Sequence, residues 1–259
     1  MSRDTHPHLA DHTVADAPVI PVAYAVEWFA REAQAAIGDG QPIELRDLKV
    51  LNGVVADGFN EGIGVDLRIM STSEHRQPLR LELVDPTGRR RYNCDAVLFD
   101  GEPLTPPALT GPATELLAIY NGGGVLFHGP AFQVLEDVRL HVGVGLSASV
   151  SGVADRGWPS EAWVTDPAVI DGALQLALLW SQHVLGGPSL PTSISLVRFL
   201  GQPRSEALRA TLVGLSVTRS KVRSNVVITD AAGDVVALLE GVETHTLPQS
   251  NERLKPDDA

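Results

Sequence analysis

Apolar positions near the start of the chain recur at helical spacing and then switch to alternation. In PVAYAVEWFAREAQAAI (21–37), Val22, Val26, Phe29 and Ala30 fall on one helical face. Pro21 suits a first turn, and GDG (38–40) ends the run. The segments IELRDLKVL (43–51), GIGVDLRIM (62–70), LRLELV (79–84) and RRYNCDAVLF (90–99) follow and predict strands, with DPTG (85–88) as turn chemistry between the last two. The same order then returns. DPAVIDGALQLALLWSQHVLGG (166–187) predicts a second helix, with Pro167 near its start and a Gly pair at its end. Strands are predicted at SISLVRFL (193–200), LRATLVGLSVT (208–218), RSNVVITD (223–230) and DVVALLEGVETHTL (234–247). DAAG (230–233) stands 145 residues after DPTG, and LVRFL (196–200) stands 148 residues after LKVL (48–51).

A helix followed by an antiparallel meander, occurring twice, predicts two α+β units side by side, each helix finding its apolar partner in a sheet. LTPPALTGP (104–112) has linker composition, and PQSNERLKPDDA (248–259) is polar without periodicity. The expected organisation is an N-terminal unit at 1–103, a linker at 104–113, a C-terminal unit at 114–248 and a mobile tail at 249–259.

Composition narrows the function classes. With 44% hydrophobic and 20% charged residues, the 259-residue chain reads as a soluble globular protein. A net charge of −12 repels phosphate backbones and anionic lipid, so neither nucleic acid nor membrane is an expected partner. No apolar run approaches the ~20 residues of a bilayer helix, and MSRDTHPHLADH lacks the apolar stretch of a secretion signal. The single cysteine, Cys94, excludes an intrachain disulfide and a cysteine-rich metal site. A cytoplasmic location is expected.

THPHLADHTVADAPVIP (5–21) holds His6, His8 and His12 within seven positions. Zinc would need these three in fixed geometry, which Pro7 and the surrounding loop do not supply. His6 and His8 therefore read as solvated loop residues, and no metal is expected. NGGGVLFHGP (121–130) lacks the following G-K-[ST] of a phosphate loop, so it reads instead as a glycine-rich approach to a site.

Three segments carry a family resemblance: HTVADAPVIP (12–21), HGPAF (128–132), and DGALQ (171–175) followed by LPTSI (190–194). In this order and spacing, and over nearly its whole length, the chain resembles the dehydratase domain of polyketide synthases and the related polyunsaturated fatty acid synthases. The resemblance implies a double-hotdog fold. It implies removal of water from a β-hydroxyacyl chain tethered through phosphopantetheine to an acyl carrier protein, giving an α,β-unsaturated thioester. By the same resemblance, His12 matches the catalytic histidine, Asp171 the catalytic aspartate and Gln175 its companion. Pro21, His128, Gly129, Pro130, Phe132 and Gly172 are the matched substrate-binding positions. No cofactor is implied beyond the carrier protein's own arm. The implied partners are the carrier protein, neighbouring synthase domains and a second copy in a homodimer. The chain departs from the motifs at Asp16, where the family has glycine, at Val22, where glycine is common, and at His128, where the motif has tyrosine.

The chemistry is consistent on its own terms. Eliminating a β-hydroxyl needs a base for the α-proton and an acid for the leaving oxygen. Neutral histidine suits the first task, and an aspartic acid suits the second where an apolar wall raises its pKa, as AVIDGALQLALLW would around Asp171. Gln175 lies one turn on, on the same face, and Gly172 would leave space for a substrate chain. Backbone N–H groups near HGPAF or at a helix N-terminus would polarise the thioester carbonyl. His12 precedes the first helix and Asp171 lies on the second, so the site is expected between the halves. The same fold and pair would also serve double-bond isomerisation or aldol cyclisation of a polyketide, and a catalytically silent docking or dimer element is a further reading. Arg89 to Arg91 and Arg198 are candidate contacts for an acidic carrier protein.

Overall fold

The computed structural model describes residues 1–14, 17–38, 42–56, 58–59, 68–71, 78–99, 104–120, 125–159, 162–200 and 207–247. Asp16, most of the expected strand at 62–70, and the 249–259 tail lie outside the described residues.

A short hairpin of β1 (Thr13–Val14) and β2 (Ala17–Pro18) leads into α1 (Val22–Ile37). The amphipathic pattern of α1 is used as expected, with Ala23, Tyr24, Val26, Phe29, Ala30 and Ala33 buried. Strands β3 (Ile43–Val50), β4 (Arg68–Ser71), β5 (Leu79–Val84) and β6 (Arg90–Leu98) complete the first unit. Residues 104–112 form no helix or strand. Then come β7 (Ala113–Glu115), β8 (Leu135–His141) and β9 (Gly145–Val150), followed by α2 (Pro167–Leu185). The chain closes with β10 (Ser189–Phe199), β11 (Leu208–Val217), β12 (Lys221–Thr229) and β13 (Val235–Thr246).

Strands β3 to β13 form one antiparallel sheet in the order β4-β5-β6-β3-β10-β13-β12-β11-β9-β8-β7. Its seam is the β3–β10 pair, where Leu45 faces Val197 and Leu48 faces Ile194. Outward from the seam the succession is β6-β5-β4 on one side and β13-β12-β11 on the other, so the sequence repeat is a structural one. The fold is a double hotdog. The two matched turns agree in their bonding: Asp85 Oδ1 accepts from the N–H groups of Thr87 and Arg89, and Asp230 Oδ1 from those of Ala232 and Asp234. Gly88 and Gly233 end them at φ of 81° and 89°, a conformation that costs glycine least.

Helix α2 is buried along most of its length, from Pro167 to Ser181, because sheet and α1 surround it. Asp166 caps it by accepting from the N–H groups of Ala168 and Val169, and Gly186 ends it in the left-handed region at φ 75°. No helix among the described residues is long and apolar enough to cross a membrane.

The second unit has three strands that the hydrophobic pattern does not predict: β7, β8 and β9. In β8 the alternation is broken by Glu136 and by Asp137, which adopts a positive φ of 50°. In β9 the first residue is glycine for a steric reason: a Cβ on Gly145 would lie 1.8 Å from the Leu212 carbonyl oxygen of the paired strand. Strand β10 begins before its predicted start because the sheet absorbs Pro191 at a register shift between Pro191 and Ser193.

Candidate active site

Asp171 sits in the second turn of α2 with 3% of its surface exposed. Burial raises its carboxyl from 3.8 to about 7, against a smaller opposing effect from the Gln175 amide that donates to it. Gln175 Nε2 lies 2.7 Å from Asp171 Oδ2 and 2.8 Å from the Phe132 carbonyl oxygen, so the i,i+4 spacing expected from sequence is realised as a hydrogen bond.

His12 is delivered to the same place from the other unit. Its carbonyl accepts from Val19 N–H, and its ring Nδ1 lies 2.8 Å from the Val19 carbonyl oxygen. A carbonyl only accepts, so Nδ1 carries the proton and Nε2 keeps its lone pair. That Nε2 faces Asp171 Oδ1 at 4.0 Å. Burial lowers the His12 pKa to about 4, outweighing the Val19 hydrogen bond. Near pH 7 the pair therefore comprises a neutral imidazole and a carboxyl that is substantially protonated.

His128 completes the cluster, its Nε2 3.5 Å from Asp171 Oδ2 and its Nδ1 buried with no hydrogen-bond partner. Its pKa is also displaced downward, by burial first and His12 second. Phe127 stacks on its ring at 4.2 Å. Donor atoms of His12, His128 and Asp171 lie within 4.8 Å of one another. These three, rather than His6, His8 and His12, are the described side chains that could hold a metal ion. His8 is not a solvated loop residue: it packs flat on Trp158, ring centroids 4.3 Å apart, and its Nε2 bonds the Tyr24 hydroxyl.

An apolar cavity of about 160 Å³ opens beside the cluster. His12, His128, Asp171 and Gln175 line it together with apolar side chains that include Val14, Ile20, Val54, Leu174 and Leu178. Val22, which follows the motif proline where glycine is common, also lines it. Of the six substrate-binding positions implied by resemblance, His128 alone is part of that lining. The other five are not. Pro21 precedes α1, and its carbonyl accepts from Tyr24 N–H. Pro130 starts a short 3-10 turn that ends at Phe132, whose ring centroid lies 5.0 Å from that of His12. Gly129 lets Asp11 close over this turn: a Cβ there would meet the Asp11 side chain at 2.8 Å.

Asp11 also answers where the backbone donors of HGPAF go. Its carbonyl accepts from Gly129 N–H and its carboxylate from Ala131 N–H, while Phe132 N–H bonds the Gly129 carbonyl. At the start of α2, Ala168 and Val169 N–H groups are taken by Asp166. The donors of Gly129, Ala131, Phe132, Ala168 and Val169 are thus already paired, whereas the start of α1, where Val22 lines the cavity, carries no side-chain cap.

Gly172 is a packing glycine and not a substrate gap. A Cβ there would approach Val150 Cγ2 to 2.6 Å and Val134 Cγ2 to 3.1 Å. Gly172→Ala is expected to lower stability by about 1–2 kcal/mol, the overpacking cost less alanine's helix propensity. Val150→Ala in the same chain should restore most of that loss, as read by thermal unfolding. A raised KM with unchanged stability would instead favour the substrate-gap reading.

Two further residues support the site without any motif pointing to them. Tyr120 donates its hydroxyl proton to Gln175 Oε1 at 2.6 Å and accepts from Leu135 N–H at 3.0 Å. Glu27 on α1 is fully buried and accepts from the N–H groups of Val164 and Thr165, the Thr165 hydroxyl and Arg31 Nε. It ties α1 to the segment entering α2. The basic candidates for docking are held within the chain: Arg89 by Asn52, Arg90 by Glu82, Arg91 by Asp85, and Arg198 by Glu44.

Residues 1–84 match the family model described as polyketide synthase dehydratase domain, and residues 123–254 the one described as polyketide synthase dehydratase N-terminal domain. One of the chains of a polyunsaturated fatty acid synthase from a Thraustochytrium species is 26% identical over 215 residues, covering 76% of this chain and 7% of that protein. The dehydratase domain of PpsC from Mycobacterium tuberculosis has a TM-score of 0.77 at 22% identity, covering 95% of this chain and 91% of that one. A trans-acyltransferase polyketide synthase enoyl-isomerase also reaches 0.77, at 14% identity, covering 94% and 97%. At these identities both likenesses establish the fold.

Proposed function

This chain belongs to the polyketide synthase dehydratase family, and we propose that it eliminates water from β-hydroxyacyl thioesters carried on the phosphopantetheine arm of an acyl carrier protein. The observation that carries this reading is the His12–Asp171 pair: two buried groups with pKa values displaced in opposite directions, facing each other beside an apolar cavity. His12 Nε2 takes the α-proton. The Cβ–O bond breaks as Asp171 gives its proton to the departing hydroxyl, and water leaves. Turnover leaves an imidazolium beside a carboxylate. Return of the proton from His12 to Asp171 restores the starting state, in the direction that burial favours by lowering the imidazole and raising the carboxyl. His128 lines the same cavity with its Nε2 3.5 Å from Asp171 Oδ2, which supports a further polar contact to the substrate there.

The apolar lining supports a reduced acyl chain over a poly-β-ketone, whose carbonyl oxygens would find few donors. A panel of 3-hydroxyacyl, enoyl and poly-β-ketoacyl pantetheine thioesters separates dehydration from isomerisation and cyclisation. Loss of one water from the first compound alone is the expected outcome, and a shifted double bond or a cyclised product without water loss would refute it. Since the chain spans 7% of the Thraustochytrium protein, neighbouring synthase domains and a carrier protein are its proposed partners.

The pH dependence has a definite sign. Activity needs His12 unprotonated and Asp171 protonated, so kcat/KM should be highest between about 4 and about 7 and fall tenfold per unit well above that range. A steady-state profile with a 3-hydroxyacyl pantetheine thioester checks this. A rate that climbs through neutral pH would assign the roles wrongly.

A further inference from the structure

We propose that Tyr120 is a positioning residue which, through Gln175, directs the transferable proton of Asp171 to Oδ1, the oxygen that faces His12. The inference rests on the reading of Asp171 as the acid, and its argument is the direction of each hydrogen bond. The Phe132 carbonyl only accepts, so the Gln175 atom 2.8 Å from it is the amide nitrogen. At the other end, the Tyr120 oxygen already accepts from Leu135 N–H, which leaves its own proton for Gln175 Oε1. The amide is therefore held from both sides with its second N–H on Asp171 Oδ2 at 2.7 Å. A proton on Oδ2 would collide with that N–H. It goes instead to Oδ1, which looks across 4.0 Å to His12 Nε2.

If the amide turned over, Gln175 Oε1 would face Oδ2 and draw the proton there, away from His12. Tyr120 guards against this from a segment 55 residues before Gln175. The titratable groups facing the carboxyl from other elements are His12, from the N-terminal unit, and His128, from the segment before β8. Arg156 and Asp171 act electrostatically on Tyr120 itself, whose hydroxyl burial keeps protonated.

The test reads Asp171 directly and does not depend on turnover. The full chain is labelled with ¹³C at the aspartate carboxyl carbons, titrated by NMR, and the Asp171 signal identified by its loss in Asp171→Asn. In Tyr120→Phe the amide is less firmly held as a donor, and the Asp171 midpoint should rise by roughly half a unit. Gln175→Met removes the donor with Tyr120 intact and should raise it at least as far. Adding Tyr120→Phe to Gln175→Met should move it no further. In steady-state dehydration, Tyr120→Phe should lower kcat about tenfold with KM nearly unchanged. An unmoved midpoint in folded Tyr120→Phe overturns the proposal, whatever happens to stability. If Tyr120→Phe does not fold, an unmoved midpoint in Gln175→Met overturns it equally. A shifted midpoint in a protein that dehydrates no substrate would uphold the hydrogen-bond relay and refute the proposed function.

Discussion

Asp171→Asn and His12→Ala are each expected to lower kcat for dehydration by about a hundred- to ten-thousand-fold, the range supplied by positioned acid–base groups. The two residues act in one step, so the double variant should be little worse than either single one. Asparagine keeps the shape of Asp171 and can still accept from Gln175, but it has no proton to give at the leaving oxygen. The same substitution should stabilise the fold, with a pH dependence fixed by sign. The folded-state pKa, about 7, lies above the ordinary value of 3.8, so the folded protein holds this proton more tightly than the unfolded chain. That favourable contribution is complete below the unfolded value and drains away as pH rises toward 7. Asp171→Asn should therefore gain most in melting temperature above neutrality and little near pH 4. Calorimetry at the two ends reads the difference. An inactive variant that melts lower at every pH would indicate a structural role in place of the acid.

The second large effect falls far from the chemistry. Glu27→Ala is expected to cost about 3–5 kcal/mol, because it strips the partners from two backbone N–H groups and leaves Arg31 without its carboxylate. Glu27→Gln should cost less but still destabilise, since one acceptor oxygen becomes a donor facing donors. Thr165 immediately precedes the Asp166 cap of α2, so loosening it also loosens the entry to the helix that carries Asp171. Denaturant unfolding reads the stability loss, and kcat should fall while the descending pH limb stays in place. A change of less than about 1 kcal/mol in Glu27→Ala would contradict the clamp.

The contrast between these two sites shows what sequence carries. Asp171 and Gln175 are legible through the family resemblance, and the nearly unbroken apolar helix around the carboxylate adds the reason its pKa would rise. The repeat is legible through its turns, where Asp85 and Asp230 repeat one local bonding pattern. Glu27 is not legible. Its position reads as the polar side of an amphipathic helix, and its burial comes from a segment more than a hundred residues away. Tyr120 is hidden for the same reason: local spacing does not report a contact made by tertiary folding. Gly172 is visible, but whether its missing side chain serves a ligand or a neighbouring strand depends on Val150 and Val134, which packing alone brings there. His8 reads as solvated, yet Trp158 and Tyr24 cover it. The backbone donors of HGPAF read as free because nothing in the sequence announces that Asp11 will take two of them.

The central claim is that His12 takes a proton from the α-carbon while Asp171 releases the β-oxygen as water. Its most direct measurement is a mass-resolved turnover of a 3-hydroxyacyl pantetheine thioester carrying deuterium at both α-positions and oxygen-18 in the β-hydroxyl, near pH 6. The account predicts that the wild-type protein yields an enoyl thioester lacking one deuterium and all of the oxygen-18, that the label appears in water, and that His12→Ala and Asp171→Asn leave the substrate intact. An unchanged substrate with the wild-type protein, or a product that retains the oxygen-18, would contradict it.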